Sequence, residues 1–308
     1  MRSGMRAVLV AFSALVFACS PAPAGVGTSP TTSASPTTGA SPTTAATRDV
    51  CAKDTLTLVK PGRLTVATDN PAYPPWFEGG TPAGSPWKIN DPSTGKGFES
   101  AVAYAVAERL GFSRDEVTWI VVPFDNAFKP GQKDFDFDIN QISYDPQRAR
   151  AVDFSDSYYN VNQAVVALKD NPIAKAKTRA ELRPYKLGAP VGTTSYNYIV
   201  RNVQPTERPA VFNTLNDAIS GLKAKQIDGV VVDLPTAFFV TAAQIENGTI
   251  VGQFPTVGEQ ERFGLVLEKG SPLTPCVNRA LASLKTDGTL ARIQKEWLAD
   301  KANAPVLQ

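Results

Sequence analysis

DPQRARAVDFSDSYY, residues 145–159, is the stretch on which the reading of the fold turns. Asp145 and Pro146 open it as a turn, and the run from Val152 to the Tyr158-Tyr159 pair reads as a strand after a loop. Arg148 stands between them. A guanidinium is planar and permanently charged, and its fork matches the two oxygens of a carboxylate. Taken alone, Arg148 is equally at home as an ordinary loop cation.

Working outward, Arg63–Thr68 is an apolar, β-branched run after Pro61-Gly62 and reads as a strand, as do Val117–Val122 and the alternating Phe135–Ile142. Between the first two, the segment from Gly97 to Gly111 places Ala101, Val102, Ala105, Val106 and Leu110 on one helical face. Further strands are expected at Leu187–Val191, Gly229–Val232, Thr249–Phe254 and Phe263–Leu267. Helices are expected from about Thr194 and Thr214, and at Pro272–Lys285 and Thr289–Leu298. Strands alternating with helices make an α/β protein, and 308 residues allow about two domains.

The opening stretch resembles the TPERKKxVDFSxPYY segment of the family 3 extracellular solute-binding proteins, the amino-acid receptors of ABC importers. Gly97-Phe98-Glu99 begins a segment similar to the family's GFDxDLxxAIAxxLG, departing from it at Ala101, where an acid is usual. Residues 225–237, KQIDGVVVDLPTA, resemble GxxDAVVxDxPxA, and Gly192-Thr193-Thr194 resembles the family's GTT turn. The likeness covers nearly all of residues 51–300. It implies a two-lobed, periplasmic-binding-protein-like fold of type II, each lobe a sheet flanked by helices, with ligand in the interlobe cleft. The chain would build most of lobe 1 (51–162), cross to build lobe 2 (163–263) and return to finish lobe 1 (264–308).

The resemblance also implies roles. Arg148, with Thr193 and Thr194 at a helix N-terminus, would hold a ligand's α-carboxylate. Asp233, Ser143 and Gln141 would hold its ammonium, the last two facing one way on an extended strand. Tyr73, in Tyr73-Pro74-Pro75-Trp76-Phe77, would lie over the ligand side chain, with Phe124 as the opposite wall; Trp76 is extra relative to the commoner YPPF. Asp145 is either a turn residue or an added pocket charge, and Thr193-Thr194 also suits a plain helix cap. Gln141, Asp125 and Asp145 make the pocket polar or acidic, which points to a neutral polar amino acid such as glutamine or asparagine, then to a basic one.

The ends of the chain add an address. Arg2 and Arg6 precede the apolar run Ala7–Ala18 and then Cys19, which reads as a signal peptide over 1–18, too short to span a bilayer. Val-Phe-Ala-Cys resembles a bacterial lipobox, so lipidation at Cys19 and a membrane anchor are expected; an unlipidated signal peptide is the alternative. Residues 19–50 are dominated by Ser, Thr, Pro, Ala and Gly, a tether reaching about 30 Å by coil statistics. In an exported chain the remaining Cys51 and Cys276 read as a disulfide rather than two thiols.

Subtracting Arg2 and Arg6 from 31 basic residues leaves 29 against 29 acidic ones, which gives nucleic acid no basic face to bind. The sequence contains no histidine, so every histidine-based triad or metal site is excluded. No cofactor and no metal are expected. The expected partners are a free amino acid, the membrane subunits of an ABC importer and, through the lipid, the membrane, with the chain itself a monomer. The alternative is a periplasmic-type dehydratase acting in the same cleft, with Glu99 or Asp125 as acid. A sensor ectodomain would require a transmembrane helix, which is not expected after residue 18.

Overall fold

A computed structural model of the chain describes residues 49–298 and 304–308. The signal peptide, Cys19 and nearly all of the tether lie outside the described residues. Two five-stranded mixed sheets form the frame. The first runs β2 (Val117–Val121), β1 (Leu64–Thr68), β3 (Phe137–Asp138), β10 (Arg262–Glu268), β4 (Val152–Asn160). The second runs β7 (Ala210–Phe212), β6 (Leu187–Pro190), β8 (Gly229–Asp233), β5 (Gln163–Leu168), β9 (Gly248–Gln253). The chain passes from one sheet to the other between β4 and β5 and back between β9 and β10.

The central strands read as continuous apolar runs because helices cover both faces of each sheet. On the first sheet, Leu64, Val66, Phe137 and Leu265 pack under α1 (Phe98–Arg109), α6 (Thr274–Thr286) and α7 (Thr289–Leu298). The opposite face, with Ala67 and Val266, is closed by residues around the short α2 (Phe124–Ala127). In the second lobe β5 is buried along its whole length. Ala164 and Val166 meet α4 (Leu215–Lys223) and α5 (Leu234–Phe239), while Val165 and Ala167 meet the side of α3 (Thr194–Tyr198).

Three differences from the sequence reading matter. Strand β3 is only two residues long; the segment 139–142 leaves the sheet, and Gln141 takes a left-handed φ of 47°. Helix α1 is not buried on one face: Ala103 and Ala107 are buried and Ala101 only partly, because sheet, α6 and α7 surround it. The last described residues, 304–308, which the sequence reading places with lobe 1, lie along β9 of the second sheet: Gln253 N–H donates to Pro305 O (2.7 Å) and Leu307 N–H to Gln253 O (2.8 Å). Cys51 and Cys276 are bonded, with Cα atoms 5.4 Å apart, joining the start of the described chain to α6.

Candidate functional site

A cleft of about 500 Å³ lies between the two sheets. Its walls are the segments that follow the carboxyl ends of parallel strands, where open α/β sheets bind ligands. Asp69 follows β1, Phe124 and Asp125 follow β2, Thr193 follows β6, and Asp233 ends β8. All eight residues singled out from the sequence line this cleft: Tyr73, Phe124, Gln141, Ser143, Arg148, Thr193, Thr194 and Asp233. So do Asp69, Gln163, Ser195, Asn213 and Thr236, which sequence reasoning missed. Asp69 could have been found from its place just past the end of β1; Gln163 and Asn213 carry no local signal.

Arg148 bridges the lobes. One Nη donates to Ser143 O (2.9 Å) and the other to Gly192 O (2.6 Å). Its guanidinium lies 4.2 Å from the centre of the Phe128 ring and 5.5 Å from that of Phe124, so both aromatics cradle it. Burial lowers its pKa, and the carboxylates of Asp145, Glu261 and Asp125 oppose that shift. Gly192, at φ 72°, turns the chain so that its carbonyl reaches Arg148; a Cβ there would come within 2.9 Å of Asp125. Thr193 caps α3, accepting from Tyr196 N–H (3.2 Å). The Thr194 hydroxyl lies 3.3 Å from that of Ser143, across the cleft.

Asp233 caps α5, accepting the Thr236 N–H at 2.9 Å. Burial, and then the charge of Glu261, push its pKa up to about 6 against those bonds. Ser143 donates its hydroxyl to Glu261 (2.5 Å), which also accepts from Gln163 (3.1 Å), so a carboxylate at the return crossing backs the Ser143 side of the cleft. Asp145 does not line the cleft. Its carboxylate accepts from the N–H groups of Gln147 (2.7 Å) and Arg148 (3.3 Å), so it acts as a turn residue.

Gln141 differs from expectation in detail. Its side-chain amide is bonded to Glu99 rather than held free for a ligand, and its backbone N–H donates to Glu99 at 2.6 Å. Trp76 is a core residue, fully buried against Phe98, Tyr159 and Phe263. Gly97 explains why: at φ 92° it lets α1 start hard against the chain, where a Cβ would sit 2.6 Å from Trp76 O. That carbonyl accepts from Glu99 N–H (2.9 Å), a first-turn donor with no cap side chain to satisfy it.

A family model for bacterial extracellular solute-binding proteins, family 3, matches residues 64–300. The chain is similar to an ABC transporter arginine-binding protein of Escherichia coli (strain K12), 28% identical over 210 residues, spanning 65% of this chain and 81% of that one. It is similar to a probable histidine-binding protein of Campylobacter jejuni subsp. jejuni, 26% identical over 226 residues, spanning 71% and 83%. Among solved structures, an ancestral arginine-binding protein bound to glutamine superposes with a TM-score of 0.61 at 29% identity, over 77% of this chain and 97% of that one. With more than half of its length matched, the chain belongs to the bacterial extracellular solute-binding proteins, family 3.

Proposed function

We propose that the cleft captures a free amino acid outside the cytoplasm and presents it to the membrane subunits of an ABC importer. One observation carries this reading: Arg148 from one lobe and Asp233 from the other line a single cleft, as a carboxylate and an ammonium on one carbon require. Thr193 and Thr194 support the carboxylate; Ser143 and the backbone of Gln141 support the ammonium. Ligand contacts made from both lobes favour the closed form over the open one.

The charged residues lining the cleft are Asp69, Asp125, Asp233 and Arg148. A zwitterion matches Arg148 and Asp233 and leaves two further carboxylates in the lining, Asp125 and Asp69, the latter also accepting the N–H groups of Asn70 and Phe124. That favours side chains rich in hydrogen-bond donors, basic ones ahead of the amides glutamine and asparagine. Histidine, arginine and glutamine, named for the relatives and the structure given above, belong to this range, while other relatives are named for cystine. Tyr73 and Phe124 supply the apolar walls.

Capture without turnover fits the placement of the carboxylates. Of the two acids a dehydratase would draw on, Glu99 is fully buried and turned toward Gln141 and Tyr158 rather than lining the cleft, which leaves Asp125 as the one in the lining. The sequence of the amino terminus supports an anchor: a signal ending at Ala18, a lipidated Cys19 and a tether that lets a monomeric receptor float off the membrane.

A thermal-shift screen of the twenty amino acids tests the reading. A ligand at 100 times its Kd should stabilise the protein by about 2.7 kcal/mol. Arginine, lysine, histidine or an amide should give the largest shift. A flat response to all twenty contradicts amino-acid capture.

A further inference from the structure

Arg148 carries its charge at the cleft without a carboxylate to hold it in place. Among the described residues, no acid lies within ion-pair distance of its guanidinium. The neighbouring Asp145 carboxylate accepts the backbone N–H of Arg148 instead, at 3.3 Å. The guanidinium spends two of its five N–H donors on neutral carbonyls, Ser143 O at 2.9 Å and Gly192 O at 2.6 Å.

What steadies the group is a pair of rings. Phe124 opens α2 and Phe128 follows its end, a four-residue spacing that brings both to one side of the turn. They pack edge to face, with centroids 5.3 Å apart and planes at 82°. The guanidinium lies over Phe128 at 4.2 Å and over Phe124 at 5.5 Å. Phe124 lines the cleft and Phe128 does not. Phe128 is packed, partly buried, against the cluster of Ala67, Ile142, Val152 and Val266, which anchors its ring from behind. Arg148, Phe124 and Phe128 all belong to the first lobe, so the stacking does not depend on closure.

We infer that Phe128 is a positioning residue for ligand capture: its ring face fixes the plane of the Arg148 guanidinium and leaves the charge and the remaining N–H donors to the ligand's carboxylate. The inference rests on the amino-acid reading above. A ring face attracts a cation without neutralising it. An aspartate or glutamate in the same place would neutralise the guanidinium and compete with the ligand for its fork. An aliphatic side chain would cover the core but leave the guanidinium free to turn. Arginine carries a large rotamer entropy, and a guanidinium already held flat loses less of it when ligand arrives.

Isothermal titration of L-arginine and of L-glutamine into Phe128→Leu and Phe128→Tyr tests this, together with NMR of the Arg148 Nε–H signal in the empty proteins. Phe128→Leu keeps an apolar side chain against the core and removes the ring, so its Kd should rise about 2- to 12-fold, the cost of ordering one long side chain. Phe128→Tyr keeps the ring face and should bind as the wild type does. In the empty wild type the Nε–H signal should be displaced upfield by the ring beneath it. Phe128→Tyr should keep that displacement and Phe128→Leu should lose it. The wild-type signal decides the stacking without any variant. An undisplaced wild-type signal, an unchanged affinity in Phe128→Leu, or an equal loss in both variants overturns the inference while leaving amino-acid capture standing. A displaced signal in a wild-type protein that binds neither amino acid overturns the capture reading, and the role of Phe128 in it falls as well.

Discussion

The indole Nε1 of Trp76 donates to the hydroxyl of Thr236 at 2.9 Å, a bond from the core of one lobe to the helix that Asp233 caps in the other. Thr236 is also the residue whose N–H and hydroxyl hold the Asp233 carboxylate. The bond can form only when the lobes meet. It ties a side chain that is 0% exposed to the residue that holds the Asp233 carboxylate.

Trp76→Phe should therefore weaken ligand binding, since the donor goes, and should also lower stability, because the smaller ring leaves a cavity at a fully buried site. Losing the indole's bond to the Thr236 hydroxyl, which keeps its bond to Asp233, costs about 0.5–1.5 kcal/mol, roughly 2- to 12-fold in Kd. Calorimetric titration measures it. Scattering should show the empty mutant more open than wild type, and equal affinity with an unchanged profile would remove Trp76 from the closing step.

The Cys51–Cys276 bond fastens residues before β1 to α6, both packed in the core of lobe 1. Reduction should cost about 2–4 kcal/mol of stability. Urea unfolding with and without reductant reads the difference, and the cleft should still bind. Free thiols at both positions in protein purified without reductant would contradict the pairing.

Stability should also depend on pH with a definite sign. Glu99 has its folded pKa raised from 4.5 to about 7, so the folded state binds the proton more tightly than the unfolded chain. That contribution is complete below about pH 4.5 and is lost as pH climbs through 7, for a total of about 3 kcal/mol. Asp233, raised from 3.8 to about 6, acts the same way at lower pH. The empty protein should lose stability between pH 5 and pH 8 in a urea series, and Glu99→Gln should lose less. A flat profile between pH 5 and pH 8 would show that both groups are ionised throughout.

An anchored receptor should depend on Cys19. Cys19→Ala should shed protein to the medium or leave uncleaved precursor, measured by fractionation and mass spectrometry. Correctly processed mutant retained in the membrane would contradict lipidation.

Much of this was legible in the sequence because β-branched runs and helical periodicity are local. Leu64–Thr68 and Thr289–Leu298 emerge within a residue of expectation. The cleft residues Arg148 and Asp233 were legible because each sits in a run of distinctive neighbours, 145–159 and 225–237. What escaped is set by partners far along the chain. Gln141 reads as part of an alternating strand, yet Glu99, 42 residues earlier, pulls its amide out of line. Trp76 looks like an added residue in an aromatic turn, and only the packing of α1 at Gly97 makes it core. The placement of 304–308 on β9 depends on Gln253, whose side chain and backbone both bond that segment.

The central claim is the charge clamp, and titration of the best amino acid from the screen into Arg148→Ala and Asp233→Ala tests it most directly. Each loss leaves one ligand charge desolvated and unpaired, at about 2–5 kcal/mol, so each Kd should rise roughly 30- to 5,000-fold. Both mutants should remain folded, since an open, empty cleft leaves the surviving partner hydrated. An affinity within threefold of wild type in either folded mutant would show that the residue takes no part in holding the ligand and would contradict the account.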